Sequence, residues 1–207
     1  MLQGFFKITA AAAIMAGGTF AMQASGQAGD YKATFAGIGA ATSVPFGWVD
    51  FCKRATGECN TDDMAAVDVN LTAKSMKELE RINKWVNVNI EPVSDTAHWS
   101  AVDHWDYPTD GKGDCEDYAL LKRKMLMEEG FPRQALLMTV VKDEKGEGHA
   151  ILTVKTNRGE FILDNQESRI LPWTQTGYKF VKRQSQENPN IWVQVGEPVS
   201  APLYTAR

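Results

Sequence analysis

Two stretches of the chain have the hydrophobic spacing of amphipathic helices. Between residues 68 and 90, apolar residues recur at helical spacing, as Leu79, Ile82 and Val86 do, and charged residues occupy the other face. Residues 114–129 have a second apolar side of this kind. A proline soon after the first stretch and a glycine and a proline after the second are typical helix stops. The pattern therefore predicts two core-packing helices.

After the second helix the pattern changes to short apolar runs separated by polar turns, which is typical of strands. The predicted strands are residues 135–141, 149–156, 160–165 and 190–195. Segments rich in glycine, proline or polar residues are predicted to be loops at 31–64 and 94–112, and a polar, proline-containing stretch at 182–189 precedes the last predicted strand. The predicted class is α+β, with helices packed on an antiparallel sheet.

The N-terminus has the outline of a secretory signal peptide. Lys7 precedes an apolar run over residues 8–22, which is shorter than the ~20 residues that span a bilayer, and small residues follow. We predict a signal peptide at residues 1–24, cleaved somewhere within 21–28, and a single domain at 25–207. An uncleaved N-terminal anchor is the alternative. The mature protein is predicted to be periplasmic or secreted, with no membrane span.

Composition limits the classes of partner. Lys and Arg total 22, Asp and Glu total 26, and the net charge is −4, which is not the basic surplus that binds a phosphate backbone. Nucleic acid is therefore not an expected partner. We also expect no organic cofactor.

The three cysteines have two different interpretations. Cys52 and Cys59 bracket a short polar loop, and export to an oxidising compartment would allow them to form a disulfide. A zinc site is the alternative, but its usual spacing is two to four residues and no histidine is nearby in sequence. Cys115 is left as the odd thiol.

Cys115 falls in the first turn of the second predicted helix, where the helix dipole favours a thiolate. A thiol nucleophile also needs a base and a group that holds the base, and His149 and Asp164 are the best candidates. If a two-residue turn centred on Asn157 and Arg158 joins their strands, His149 lies opposite residue 166 and one diagonal step from Asp164.

Three segments carry a family resemblance. The run 113–119, which reads Gly-Asp-Cys-Glu-Asp-Tyr-Ala, together with Gly148-His149-Ala150 and Leu163-Asp164-Asn165, resembles the bacterial transglutaminase-like cysteine peptidases with their LapG-type relatives. The resemblance implies a papain- or transglutaminase-like fold with its nucleophile at a helix N-terminus. It also implies that Cys115 is the nucleophile, His149 the general base and acid, and Asp164 the orienting carboxylate. The backbone amide of Cys115 would be one oxyanion donor.

The carboxylates next to Cys115 have two open interpretations. Asp114, Glu116 and Asp117 would repel a thiolate unless a cation neutralised them, and oxygen ligands suit calcium. The resemblance, in which LapG-type members depend on calcium, points to these three residues as ligands. In the alternative, Asp114 caps the helix and the other two favour its first turn without a metal.

Three functions stay open at this point. The first is an exported cysteine peptidase that hydrolyses a cell-envelope protein through an acyl-enzyme. By the resemblance, the substrate is a surface adhesin and an inner-membrane receptor regulates the enzyme. The second is a transglutaminase or amide-forming acyltransferase, and the third is a non-catalytic envelope binding module.

Overall fold

The computed structural model describes Met1 and residues 34–60 and 62–196. The helices are α1 (Phe46–Arg54), α2 (Thr56–Cys59), α3 (Ala73–Asn89), α4 (Asp95–Trp99) and α5 (Cys115–Glu128). The strands are β1 (Ile38–Thr42), β2 (Glu91–Pro92), β3 (Lys112–Gly113), β4 (Leu136–Lys142), β5 (Gly148–Thr156), β6 (Gly159–Leu163), β7 (Leu171–Pro172), β8 (Lys179–Gln184) and β9 (Trp192–Val195).

Seven strands form one antiparallel sheet in the order β1-β9-β8-β4-β5-β6-β7. Helix α5 packs against β4 and β5, and α3 packs against α5. The core between these layers is apolar and includes the buried aromatic residues Trp48, Trp105 and Trp192. Their indole rings contact one another at centroid distances of 6.2–6.5 Å. The predicted α+β class with helices packed on an antiparallel sheet is confirmed.

Both predicted helices form, but the first begins later than its hydrophobic pattern suggests. Thr72 is its N-cap, and the Thr72 hydroxyl accepts a hydrogen bond from the backbone N–H of Ser75 at 3.1 Å. The Ser75 hydroxyl in turn accepts from the backbone N–H of Thr72 at 2.7 Å. This reciprocal pair satisfies two amides at the helix start, so α3 starts at Ala73 rather than near residue 68.

Both predicted loops contain helices, with α4 inside 94–112, and the polar stretch 182–189 begins inside a strand. Residues 31–64 include β1, α1 and α2. Strand β8 lies inside the sheet between β4 and β9, although its last three residues are polar. Each of the three is buried and bonded: Lys182 donates to the Ser43 carbonyl at 2.9 Å, Arg183 to Glu160 at 2.6 Å, and Gln184 accepts from the Met138 amide at 3.0 Å. Such long-range partners are invisible to a pattern of hydrophobic positions.

Cys52 and Cys59 form the predicted disulfide, with a Cα–Cα distance of 5.5 Å. It connects α1 to the end of α2. No helix among the described residues is long and apolar enough to cross a membrane. The predicted signal peptide lies almost entirely outside those residues.

Candidate active site

Cys115 is the first residue of α5. Its side chain faces β5, where the backbone N–H of Ala150 donates to Sγ at 3.4 Å. The thiol donates to Glu116 Oε2 at 3.0 Å. The residue is 2% exposed. The fold therefore places the sulfur at the positive end of a helix and against the residue that follows His149.

His149 and Asp164 lie side by side at the same end of β5 and β6. The two strands are in the register that the two-residue turn predicts, with Thr156 opposite Gly159 and Leu152 opposite Leu163. His149 Nε2 and Asp164 Oδ1 are 2.8 Å apart, and both side chains are buried. Because Nε2 bonds the carboxylate, Nδ1 is the ring nitrogen left to exchange a proton.

Two further side chains contact this pair, and neither was predicted as a site residue from the sequence. The hydroxyl of Tyr178 donates to Asp164 Oδ2 at 2.6 Å, and its ring meets the His149 ring edge-on at a centroid distance of 5.5 Å. Gln166 Nε2 lies 3.4 Å from His149 Nδ1, and the Gln166 backbone N–H donates to Asp164 Oδ1 at 3.0 Å. Tyr178 immediately precedes β8. Because this strand was not predicted, there was no reason to place Tyr178 near Asp164. For Gln166, the predicted register was the available signal.

The surroundings of the two groups lower the pKa of the Asp164 carboxyl and raise the pKa of the Cys115 thiol. Burial raises the pKa of Asp164, but hydrogen bonds from His149 and Tyr178 outweigh it and keep the pKa below its ordinary value. Burial raises the pKa of the Cys115 thiol, and the charges of Glu116 and Asp114 raise it further. The negative charges of these two carboxylates therefore disfavour the thiolate form of Cys115, which is the form that a nucleophile requires.

A cluster of three buried carboxylates surrounds the start of α5. One oxygen from each of Asp95, Asp114 and Glu116 lies within 4.8 Å of the others. Asp114 Oδ1 has no hydrogen-bond partner among the described residues. Burial, followed by the charge of Asp95, raises the pKa of Asp114 to about 7. Buried carboxylates with an unsatisfied oxygen fit a hard divalent cation.

Asp95 rather than Asp117 completes this cluster. Asp117 Oδ1 accepts the backbone N–H of Asp106 at 2.7 Å, and its Oδ2 accepts that of Asp114 at 3.4 Å. The Asp117 carboxylate therefore accepts hydrogen bonds from backbone amides, as expected if Asp117 supports the first turn of α5 without a metal. Asp95 was missed because it is 19 positions before Asp114 in sequence, and its backbone N–H donates to Asp114 Oδ2 at 3.2 Å.

One family model matches the part of the chain that contains this site. The model of the bacterial transglutaminase-like cysteine proteinases, BTLCP, matches residues 38–200. The chain belongs to this family. It is therefore a transglutaminase-like cysteine peptidase by family, and the resemblance stated from its motifs is confirmed.

Solved structures give similar family members. Calcium-bound LapG of Legionella pneumophila is 28% identical, with a TM-score of 0.50, over 61% of this chain and 74% of that one. Two further structures, of Legionella pneumophila LapG and of the same protein treated with EGTA, are also 28% identical, with TM-scores of 0.49 and 0.48. The first covers 57% of this chain and 68% of its own, and the second 59% and 72%. No match is found among curated proteins.

Replacing Tyr178 by phenylalanine is expected to lower kcat about tenfold with little change in KM. The variant keeps the ring against His149 but removes a charge-assisted hydrogen bond to Asp164, and such bonds contribute about 1.5–3 kcal/mol. Peptide hydrolysis kinetics measure the effect. Tyr118→Phe is the matched control, since it removes a buried hydroxyl that donates to the Ile90 carbonyl. Equal kcat values in the two variants would contradict the expectation.

Lys122 is a buried cation on α5 whose Nζ has no hydrogen-bond partner among the described residues. Burial lowers its pKa to about 7, although the charge of Asp164 acts in the opposite direction. Its pKa in the unfolded chain is ~10.4. The folded state therefore holds fewer protons than the unfolded state between about pH 7 and 10.4, and this group destabilises the fold most below that window.

Lys122→Met is accordingly expected to stabilise the protein by about 1–4 kcal/mol at pH 6. The gain should shrink as the pH rises towards 10, where the unfolded lysine also loses its proton. Urea unfolding at the two pH values measures it. A variant less stable than wild type at pH 6 would contradict this expectation and show that the contact of Nζ with the Tyr118 ring, 5.9 Å from its centroid, and the charge of Asp164 outweigh the cost of burial.

Proposed function

We propose that the chain is an exported peptidase in which Cys115, His149 and Asp164 act as a catalytic triad on a protein of the cell envelope. The observation that carries the proposal is the placement of the Cys115 sulfur at a helix N-terminus, against the residue after a buried His149–Asp164 pair. That arrangement is what nucleophilic catalysis by a thiol requires.

The proposed reaction proceeds in two halves. Cys115 Sγ attacks the scissile carbonyl carbon, and its proton passes to His149 Nδ1. The C–N bond then breaks as Nδ1 returns that proton to the leaving amine, which leaves a thioester on Cys115. Water attacks the thioester, gives a proton to His149 and releases the acid, and the proton returns to the thiol. Throughout, Asp164 holds the ring orientation and stabilises the imidazolium.

The backbone N–H of Cys115 is proposed as an oxyanion donor, because Cys115 is the first residue of α5 and the backbone N–H groups of a first helical turn point away from the helix towards bound anions. For calcium, we propose Asp95, Asp114 and Glu116 as the ligands. Bound there, calcium would neutralise the carboxylates that raise the pKa of the thiol.

Digestion of a synthetic peptide mixture by the purified protein in calcium tests the proposal. Wild type should generate new amino termini, detected by mass spectrometry, and Cys115→Ala and His149→Ala should not. Addition of a primary amine separates the alternatives, since an acyltransferase converts most of the acyl-enzyme into amide product. Absence of cleavage together with absence of iodoacetamide labelling at Cys115 would favour the binding module.

Substrate and location extend the proposal. The family resemblance supports an adhesin substrate and an inner-membrane regulatory receptor, and the apolar run at 8–22 supports export to the periplasm. N-terminal sequencing of the protein recovered from the cell envelope fraction tests export. A new terminus between residues 21 and 28 is expected, whereas an intact Met1 would favour the anchor.

A further inference from the structure

A cavity of about 360 Å³ opens beside the triad, and the proposed reaction gives it no role so far. One wall is the turn between β4 and β5, which includes Glu144. The other is formed by residues that follow β6, including Gln166 and Tyr178. Ile162 and Leu171 contribute an apolar part of the lining. Asp164 also lines the cavity, so it lies directly beside the His149–Asp164 pair.

Gln166 connects this cavity to the proposed base. Its side chain lies in the cavity wall and also places Nε2 3.4 Å from His149 Nδ1. In the proposed reaction Nδ1 protonates the leaving amine, so that amine must come within hydrogen-bond reach of Nδ1. The amine then takes the place next to the ring that Gln166 holds here. The substrate residues that follow the amine are thereby directed to the cavity side of His149.

We infer that the cavity is the subsite for the polypeptide segment on the C-terminal side of the scissile bond, and that Glu144 selects a basic side chain there. The inference rests on the proposed function, because it uses His149 as the acid for the leaving group. It adds a substrate preference that the triad itself does not determine.

The charge of the lining favours a basic side chain. Its four carboxylates outnumber its two cations, Lys145 and Arg169. Asp164 is bonded to His149 and Tyr178, and Glu167 is paired with Arg169 at 2.8 Å. Asp143 Oδ1 accepts two backbone amides of its own turn.

Glu144 differs from these three acids. Its carboxylate has no hydrogen bond or ion pair to the rest of the described chain and is exposed. Its Oε1 lies 3.3 Å from the point that a Cβ on Gly177 would occupy, so it reaches from the turn to the segment before β8. An exposed ion pair contributes about 0.2–1 kcal/mol, which corresponds to a preference of up to about fivefold.

The test uses a synthetic peptide mixture of randomised sequence, digested by the purified full chain in calcium. Sequencing both sides of each cut gives the residue preferences on each side. In wild type, Lys and Arg should exceed Asp and Glu about two- to fivefold within the first residues after the cut. Glu144→Gln should remove this preference, and Glu144→Lys should reverse it, while preferences before the cut stay the same.

Glu80→Gln is the matched control, because it makes the same charge change on an exposed face of α3. It should leave both sides unchanged. Cleavage by Glu144→Lys with an unaltered preference after the cut, or with a change only before it, would overturn the subsite and leave the peptidase intact. A wild type that cuts no peptide would overturn the proposed function and this inference with it.

Discussion

Replacing Asp164 by alanine is expected to lower kcat/KM by about 10³–10⁴-fold while the protein still folds. The carboxylate accepts hydrogen bonds from His149, from the Tyr178 hydroxyl and from the backbone N–H of Gln166. Without it, nothing holds Nε2 protonated and Nδ1 unprotonated, the ring loses its fixed orientation, and the imidazolium loses its counter-charge. Peptide hydrolysis kinetics and a thermal melt of the same preparation measure activity and folding together.

Asp164→Asn is the informative comparison. The asparagine oxygen can still accept from His149 Nε2, and its amide group can donate to the Tyr178 oxygen if that hydroxyl rotates. The ring orientation is then kept and only the negative charge is lost, so we expect a loss of about 10²-fold, well short of the alanine variant. A Cys-His-Asn arrangement supports catalysis in papain-like peptidases. Equal losses in the two variants would show that charge, rather than orientation, is the contribution of Asp164.

The parts of this site that sequence could predict are local. Cys115 starts a helix whose stop signals and apolar face are both in its own sequence. The His149–Asp164 pairing follows from one two-residue turn, because a known turn length sets the register of every later pair. The disulfide between Cys52 and Cys59 is local in the same sense, since seven positions separate its cysteines.

The parts that sequence did not predict depend on contacts between distant segments. β8 is recognisable as a strand only once Lys182 and Arg183 have their partners Ser43 and Glu160. Because β8 was not predicted, the contact of Tyr178 with Asp164 could not be predicted either. Asp95 is similar, because the long segment after α3 folds back until β2 and β3 pair in parallel next to α5. Contacts between segments that are distant in sequence cannot be derived from a pattern of hydrophobic positions.

The proposed metal ligands show the same limit. Proximity in sequence favoured Asp117, which lies in the first turn of α5, but on a helix its side chain points to a different side from that of Glu116. Its oxygens accept backbone amides of Asp106 and Asp114. In the proposed ligand set Asp95 takes its place, because one of its oxygens lies within 4.8 Å of those of Asp114 and Glu116.

The protein should respond differently to calcium if Asp95 is the third ligand, beside Asp114 and Glu116, than if Asp117 is. Wild type should gain about 4 kcal/mol when calcium is about a thousand times its Kd, which for a domain of this size raises Tm by about 8–16 °C. Asp95→Asn should lose most of that rise. Asp117→Asn should melt at a lower temperature, because α5 loses an acceptor for backbone amides, but should keep the rise. Differential scanning calorimetry in calcium and in EGTA measures both.

The rise should also depend on pH with a definite sign. The pKa of Asp114 is raised to about 7 in the absence of metal, whereas an aspartate in the unfolded chain ionises near ~3.9. As the pH increases from about 4 to 7, the unfolded state loses its proton first, so the metal-free protein becomes less stable. Calcium binds the ionised carboxylates and so gains affinity over the same interval. The calcium-induced rise in Tm should therefore be larger at pH 8 than at pH 5, and a rise that is equal at both values would place the metal away from Asp114.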